Sequence, residues 1–480
     1  MIRMKTSMKY RAVIPVVFLF TFFLPVPAQT PGDSLISYLK VADSKNPVIL
    51  QKYNEYQASL RRVAPAGSLQ DPDLSVGVFL SPMEIISGRQ VADIRLMQMF
   101  PWFGSLKAAK EEMSQMANAN FEALRAARLQ VSYDVRSTWY ELIKTRGSIG
   151  ILQENISLLH TIEKLAIARY KSGGQSDNVT VNSSGAVQEN PADGERSDGQ
   201  GMQSMTGNQA TRIQSGSMQA MGSDQSGITG TGIADLYRIK IEINELENSI
   251  ALLKDKEKTL TARFNGYLDR DPASVVALPD SITMESPYYG LTTVTDSSFK
   301  SNPMLVMLEH EKKSVEARQK MADLMGYPMT GMGLNYSVIE SSSMSSSSMN
   351  GKDMIMPMVS FTLPIYRKKY KALKEEAGFQ KEAVMQNYTT TGNSLQSELY
   401  EALQLYQDAG RRVELYNNQC ILIRRSFNIM VKSFGSAGSS LTDLLQVRRE
   451  LAGYDMKKIE AIADYNTSVA WIKKLMAIEE

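Results

Sequence analysis

Leu74, Val76, Val78 and Leu80 alternate with Asp73, Ser75 and Gly77, the period-2 mark of a strand with one apolar face. A partner strand is predicted over 91–99, after a loop containing Ser87-Gly88. The same plan returns downstream. Met332, Leu334, Tyr336 and Val338 alternate with Gly331, Gly333, Asn335 and Ser337, and 354–363 supplies Ile355, Val359, Phe361 and Leu363 on one side. Pro357 lies within that last run, which requires a strand end or a bulge there. Each hairpin is followed by a long stretch, 104–172 and 366–434, without proline and with sparse glycine. At about 1.5 Å per residue each stretch makes a helical rod about 100 Å long. Their apolar seams step by three and four, as in Val413, Tyr416, Cys420, Ile423, Phe427, Met430 and Phe434. The returning helix carries Leu236, Ile239, Ile243, Leu246, Ile250 and Leu253 in the same rhythm, which is coiled-coil spacing.

These parallels make the chain a duplication. Asn46-Pro47 recurs as Asn302-Pro303, Pro72 as Pro328, Gly77 as Gly333 and Pro101 as Pro364. Further on, Leu152, Ile156, Leu159 and Tyr170 match Tyr416, Cys420, Ile423 and Phe434, and Asp235-Leu236 matches Asp443-Leu444. The first repeat spans 29–266: a helical segment from 34 to 63, strands at 73–80 and 91–99, the helix 104–172, an insertion at 175–232 and a return helix at 233–266. A linker follows at 267–296. The second repeat, 297–480, holds a helix over 297–325, strands at 330–338 and 354–363, the helix 366–434 and a return helix at 439–478. Gly173-Gly174 and the Gly435 to Gly438 turn stand where the chain must reverse, as helix-terminal glycines do.

The N-terminus reads as an address. Arg3, Lys5, Lys9 and Arg11 precede an apolar run from Ala12 to Leu24 that is too short to span a bilayer, and Val26-Pro27-Ala28 completes a signal peptide over 1–28. The other reading of this stretch is a short membrane anchor. Composition narrows the rest. Fifty-three Lys and Arg against 51 Asp and Glu leave +2, so nothing favours nucleic acid as a partner. One cysteine and two histidines exclude a disulfide framework and the common metal sites, and no cofactor is expected. A mean hydropathy of −0.24 excludes a helical membrane protein. With no phosphate loop and no nucleophile beside a base, the chain is not expected to be an enzyme.

Four short strands cannot close a membrane barrel, but several subunits pooling theirs could, since open sheet edges are not viable in lipid. The physics proposes an oligomeric barrel continued by a helical tube. A β-ribbon lying on a soluble coiled-coil bundle is the alternative.

Here the chain resembles the TolC-type outer-membrane efflux proteins. The residues that carry the likeness are Asp71-Pro72-Asp73-Leu74, Gln98-Met99-Phe100-Pro101-Trp102-Phe103-Gly104, Tyr170-Lys171-Ser172-Gly173, Asp235-Leu236 and Leu441-Thr442-Asp443-Leu444-Leu445. The resemblance covers nearly all of the mature chain. It implies a mainly α fold with short β, built as a duplicated helix–β-hairpin–long-helix repeat. It further implies a homotrimer whose twelve-stranded β-barrel sits in the lipid bilayer of the outer membrane and continues into the periplasm as an α-helical barrel tunnel. Such a channel is the exit duct of a tripartite efflux pump, docked to a periplasmic adaptor (membrane fusion) protein and an inner-membrane pump. The same fold serves type I protein secretion, a second reading. An exported coiled-coil periplasmic adaptor is a third, disfavoured by the two long hairpins.

The resemblance also implies roles for residues. Asp443, with its repeat mate Asp235, falls where the family narrows the tunnel, and three Asp443 carboxylates around a threefold axis would attract cations. Gln446 stands where relatives place a second acid. A purely local role for Asp443 is to cap its helix. Gly173, Gly174, Gly435 and Gly438 fall at the tips where adaptors dock, although Ala437 occupies the position matching Gly173.

The insertion 175–232 has no aromatic residue and no leucine, too little apolar surface to fold alone. It repeats a Met-x-x-Met spacing, Met202 with Met205 and Met218 with Met221, and the chain holds 28 methionines against 14 phenylalanines. Thioethers are neutral, soft ligands that favour Cu(I) and Ag(I). One reading makes this segment a collector for an exporter of those ions; the other makes it a low-complexity spacer with incidental methionine. Met344, Met349, Met354, Met356 and Met358 add a second group, assigned to the outer loop of the second hairpin.

Overall fold

The structure, a computed structural model, describes residues 35–173, 231–285, 301–435 and 440–478. The signal peptide, the insertion with its four paired methionines, Gly174 and Gly438 lie outside the described residues. In chain order the elements are α1 (Leu35–Lys45), α2 (Pro47–Ala66), β1 (Asp73–Ile85), β2 (Gly88–Phe100), α3 (Ser105–Gly173), α4 (Thr231–Tyr267), α5 (Pro303–Leu324), β3 (Met329–Glu340), β4 (Met354–Thr362), α6 (Arg367–Gly435) and α7 (Leu441–Leu475). Helix and short antiparallel strand alternate as a duplicated plan, and α3 and α6 are 69 residues each.

The chain divides into two compact units. The first contains the sheet, the short helices and the parts of α3, α4, α6 and α7 nearest to them. All four strands form one antiparallel sheet in the order β1-β2-β3-β4, so the two hairpins meet through β2 and β3. That seam joins one repeat to the other, with Leu96 opposite Leu334 and Ile94 opposite Tyr336. β1 runs on through Ser81-Pro82 to Ile85, past the expected end at residue 80. A register shift between Val78 and Met83 absorbs the proline, as bulges do. Pro357 sits on β4, an edge strand of this sheet, where a missing N–H is tolerated. Gly104 has a positive φ of 91° and its carbonyl accepts from Ala108 N–H at 2.9 Å, so it turns the chain from β2 into α3.

The helix expected over 34–63 is two helices. Asn46 stands extended at the break, its Oδ1 accepting from Val48 N–H at 2.9 Å with Pro47 at the first helical position. Its amide then donates to the Tyr267 carbonyl at 2.8 Å, at the end of α4. Asn302 repeats the device: Oδ1 accepts from Met304 N–H at 2.9 Å and the amide donates to the Leu475 carbonyl at 3.0 Å, at the end of α7. Both asparagines are buried. The duplication therefore extends to single hydrogen bonds. Asn46→Ala removes a cap and strands a buried carbonyl, and should cost about 2–3 kcal/mol, seen as a lower midpoint in denaturant.

The first unit packs around two repeat-related cores. One joins Tyr38 and Ile49 to Val135 and Trp139 of α3 and Leu260 and Phe264 of α4. The other joins Leu305 to Leu395, Leu399 and Ala402 of α6 and Ile472 and Leu475 of α7. The segment after α4 is pinned by buried Asn466, which accepts from Glu285 N–H at 2.9 Å and donates to the Thr283 carbonyl at 2.8 Å. Tyr140 donates its hydroxyl to the Glu285 carboxylate, and burial with that neighbouring charge pushes the phenol well above its ordinary range.

The second unit is four helical segments: α3 from Thr145, α4 to Glu257, α6 from Arg411 and α7 to Ala461. Leu159, Ile239, Ile243, Phe427, Phe434 and Leu444 make its core, and the three-four spacing of the seams is what brings them to one interior.

Candidate functional site

Two surfaces are candidates for function. The first is the sheet. Cross-strand partners share a face, so the registers put Leu74, Val76 and Val78 of β1, Ile94 and Leu96 of β2, Met332, Leu334 and Tyr336 of β3, and Ile355 and Val359 of β4 on one side. These side chains face outward without cover: Val78 is 67% exposed, Met332 64% and Val359 62%. An apolar face of this extent is not left in water by a soluble protein. Where β2 and β4 hand over to helices, Trp102 stacks on Tyr327 with centroids 5.1 Å apart, and Phe103 and Tyr366 stand exposed beside them in sequence. Aromatic residues flanking an apolar band mark a membrane interface.

The opposite face is small and polar. Asp93 and Arg95 of β2 pair with buried Ser337 and Asn335 of β3, and Gly331 and Gly333 continue the row. Ser337 Oγ donates to Asp93 at 3.2 Å. Met354, Met356 and Met358 lie on β4, on this face, within the strand expected at 354–363 and not in the outer loop with Met344 and Met349.

The second surface is the start of α7. Asp443 is exposed, and its N–H is bonded to Ser440 Oγ at 3.2 Å. Ser440 is therefore the cap, and Asp443 occupies the third helical position with its carboxylate facing solvent. The alternative in which Asp443 itself caps the helix gives way to Ser440, since the serine three residues earlier reaches the free N–H. Gln446, one turn on, is exposed and donates to Glu450 at 3.2 Å. Asp235 on α4 is paired within its own helix with Arg238, at 3.7 Å. Arg238 also donates to Thr442 Oγ1 at 2.9 Å, immediately beside Asp443. The two acidic positions are thus brought to the same end of the second unit, with Arg238 joining Asp235 to Thr442, the residue before Asp443. Helices α3 and α6 end at Gly173 and Gly435.

Several residues at this site escaped sequence reasoning. Arg449 and Glu242 form a forked ion pair between α7 and α4, a second tie below Arg238–Thr442. Arg448, its neighbour in sequence, is instead buried, donating to Asn155 Oδ1 at 2.7 Å with its guanidinium 5.6 Å from the Phe427 ring. Burial lowers the Arg448 pKa from its usual value. Cys420 is buried and its thiol is pushed up to about 11, first by burial and then by Asp455. No cluster of His, Cys, Asp or Glu among the described residues could hold a metal ion, and no helix among them is long and apolar enough to cross a membrane.

Compared by sequence, the chain matches no protein-family model and no curated protein. Compared by structure, it matches solved proteins over nearly its whole length. VceC, an outer membrane protein of Vibrio cholerae, superposes with a TM-score of 0.67 at 11% identity, covering 92% of this chain and 96% of that one. CusC, solved to follow folding and transmembrane channel formation, superposes with a TM-score of 0.67 at 13% identity and 98% of each chain. The MtrE outer membrane channel of Neisseria gonorrhoeae, in its open state, gives 0.65 at 12% identity over 92% of this chain and 88% of that one. The fold is that of the TolC-type outer-membrane channels.

Proposed function

We propose that three copies of this chain form an outer-membrane channel whose helices extend into the periplasm, acting as the exit duct of a tripartite efflux pump. The observation that carries this reading is the sheet. It has two unpaired edges, β1 and β4, and one uncovered apolar face. Copies that join edge to edge satisfy the edges, lipid covers the apolar face, and the face with Asp93, Arg95, Asn335 and Ser337 encloses water. The role is passive conduction, not catalysis. An inner-membrane pump supplies the energy and a periplasmic adaptor protein docks at the hairpin tips, for which the sequence offers Gly173, Gly174, Gly435 and Gly438.

Asp443 is the proposed gate residue. Three copies would place three carboxylates around the pore axis, while Asp235, already neutralised by Arg238, contributes less field. Because Ser440 holds the helix end, Asp443→Ala should leave the fold intact and still change conduction. In planar lipid bilayers it is expected to raise single-channel conductance and to abolish block by multivalent cations; unchanged conductance and block would remove Asp443 from the gate. The channel reading itself is tested by fractionation: the full chain should run with the outer membrane as a detergent-stable trimer, and a soluble monomer would end it.

For cargo we favour soft monovalent ions, Cu(I) or Ag(I). The support is the Met-x-x-Met spacing of Met202, Met205, Met218 and Met221 in the sequence, and the methionines along β4.

A further inference from the structure

The polar face of the sheet contains a feature that conduction alone does not require. Met97, Gly333 and Met358 stand in one row across β2, β3 and β4, and Met99, Gly331 and Ser360 in the next. The two glycines leave the middle of both rows empty. A Cβ at Gly331 would lie 2.6 Å from Met99 Sδ and overlap Ser360 Oγ, and one at Gly333 would lie 3.4 Å from the Met97 methyl. The thioethers have folded into that space. Ser360 Oγ lies within donor reach of both Met97 Sδ, at 3.6 Å, and Met99 Sδ, at 3.9 Å, so the two sulfurs flank one hydroxyl. One row further, Asn335 is 7% exposed and its Oδ1 has no hydrogen-bond partner. A buried acceptor oxygen left unsatisfied costs about 1–3 kcal/mol, and a bound cation relieves it. Three charged residues of β1 and β2 share this face: Asp73 directly opposite Met97, and Arg95 and Asp93 further along β2, so acidic groups outnumber basic ones among them.

We infer that Met97, Met99 and Met358, with Ser360 and Asn335 beside them, form a binding site for a soft monovalent metal ion on the inner face of the sheet. Thioethers need no deprotonation, so the site works at any pH and in a wall of low dielectric. They also discriminate: Na(I), Mg(II) and Zn(II) prefer oxygen or nitrogen ligands, whereas Cu(I) and Ag(I) prefer sulfur. The inference deepens the cargo reading above, and rests on the channel reading only for the route by which the ion arrives.

Silver is the practical probe. The full-length protein in detergent, in chloride-free nitrate buffer, is titrated with Ag(I) in competition with a chromogenic chelator. Two variants are compared with the parent: Met97→Leu/Met99→Leu/Met358→Leu on the sheet, and Met202→Leu/Met205→Leu/Met218→Leu/Met221→Leu in the insertion. The insertion variant should retain the sheet site. The sheet variant should lose it, with a fall greater than the roughly 10–100-fold that loss of an outer-sphere partner alone costs. A sheet variant that binds Ag(I) like the parent overturns the site. Should that variant fold poorly, X-ray absorption at the silver edge on the insertion variant decides: sulfur neighbours support the site, oxygen or nitrogen alone overturns it. Displacement of Ag(I) by equimolar Zn(II) also overturns it. Single-channel conductance of the parent is recorded separately, so that a failed channel and a failed metal site give different results.

Discussion

Replacing Leu334 with arginine is expected to keep the protein out of the outer membrane. Leu334 sits mid-strand in β3, flanked by Leu96 and Pro357 across the registers, with Met332 and Tyr336 on the same face. It is half exposed, and its outer half calls for cover. In the proposed channel that cover is lipid. An arginine on the lipid face near the midplane costs about 2–4 kcal/mol, and a trimer carries the cost three times over. That total is comparable with the whole stability of an ordinary domain, about 5–15 kcal/mol. Met356→Arg is the matched control, since Met356 is equally exposed but lies on the opposite face, where Arg95 is already accommodated across Asn335. The measurement is the yield of detergent-stable trimer in the outer-membrane fraction. Equal yields from the two variants would mean that the apolar face does not meet lipid.

The second large effect is internal. Phe264→Ala should destabilise the first unit by about 3–5 kcal/mol. The ring is fully buried and meets Tyr38 edge-on at 5.2 Å and Trp139 at 5.7 Å, which themselves lie 5.4 Å apart. Three elements, α1, α3 and α4, depend on that triangle, so truncation opens a cavity where they join and removes aromatic pairings worth about 0.5–1.5 kcal/mol each. Lys254→Ala, at an exposed position on the same α4, should change stability by no more than about 0.5 kcal/mol. Thermal unfolding followed by circular dichroism separates the two. A Phe264 variant that unfolds with the parent would show that the end of α4 is not part of the cooperative unit.

Residues differ in how openly they declare these roles. Leu74, Val76 and Val78 announce a strand and its apolar face because alternation is a local property of the backbone. The proline-free stretches announce α3 and α6 for the same reason: nothing within them interrupts the ladder of i to i−4 hydrogen bonds. Asn46-Pro47 and Asn302-Pro303 were visible as a repeat, but the helix break at Asn46 was not, because a helical pattern continues across it and only the extended backbone before proline ends it. Ser440 and Asp443 are both good capping residues, and the choice between them turns on where the chain leaves the preceding turn.

What the sequence by itself determined is therefore everything carried by short-range periodicity: two copies of one plan, strands with one apolar side, long helices with a coiled-coil seam. Tertiary structure alone decided which groups meet. Arg448 and Arg449 are adjacent and chemically identical, yet one is buried against Asn155 and Phe427 while the other pairs with Glu242, because consecutive helical positions point about 100° apart. The same holds on the sheet. Met97, Met99 and Met358 are ordinary methionines along the chain, and it is the pairing of β2 and β4 on either side of β3 that puts them in adjacent rows on one face, with Gly331 and Gly333 between. Pattern depends on neighbours in sequence; a site depends on strand register and helix rotation, which are settled only when the whole chain packs.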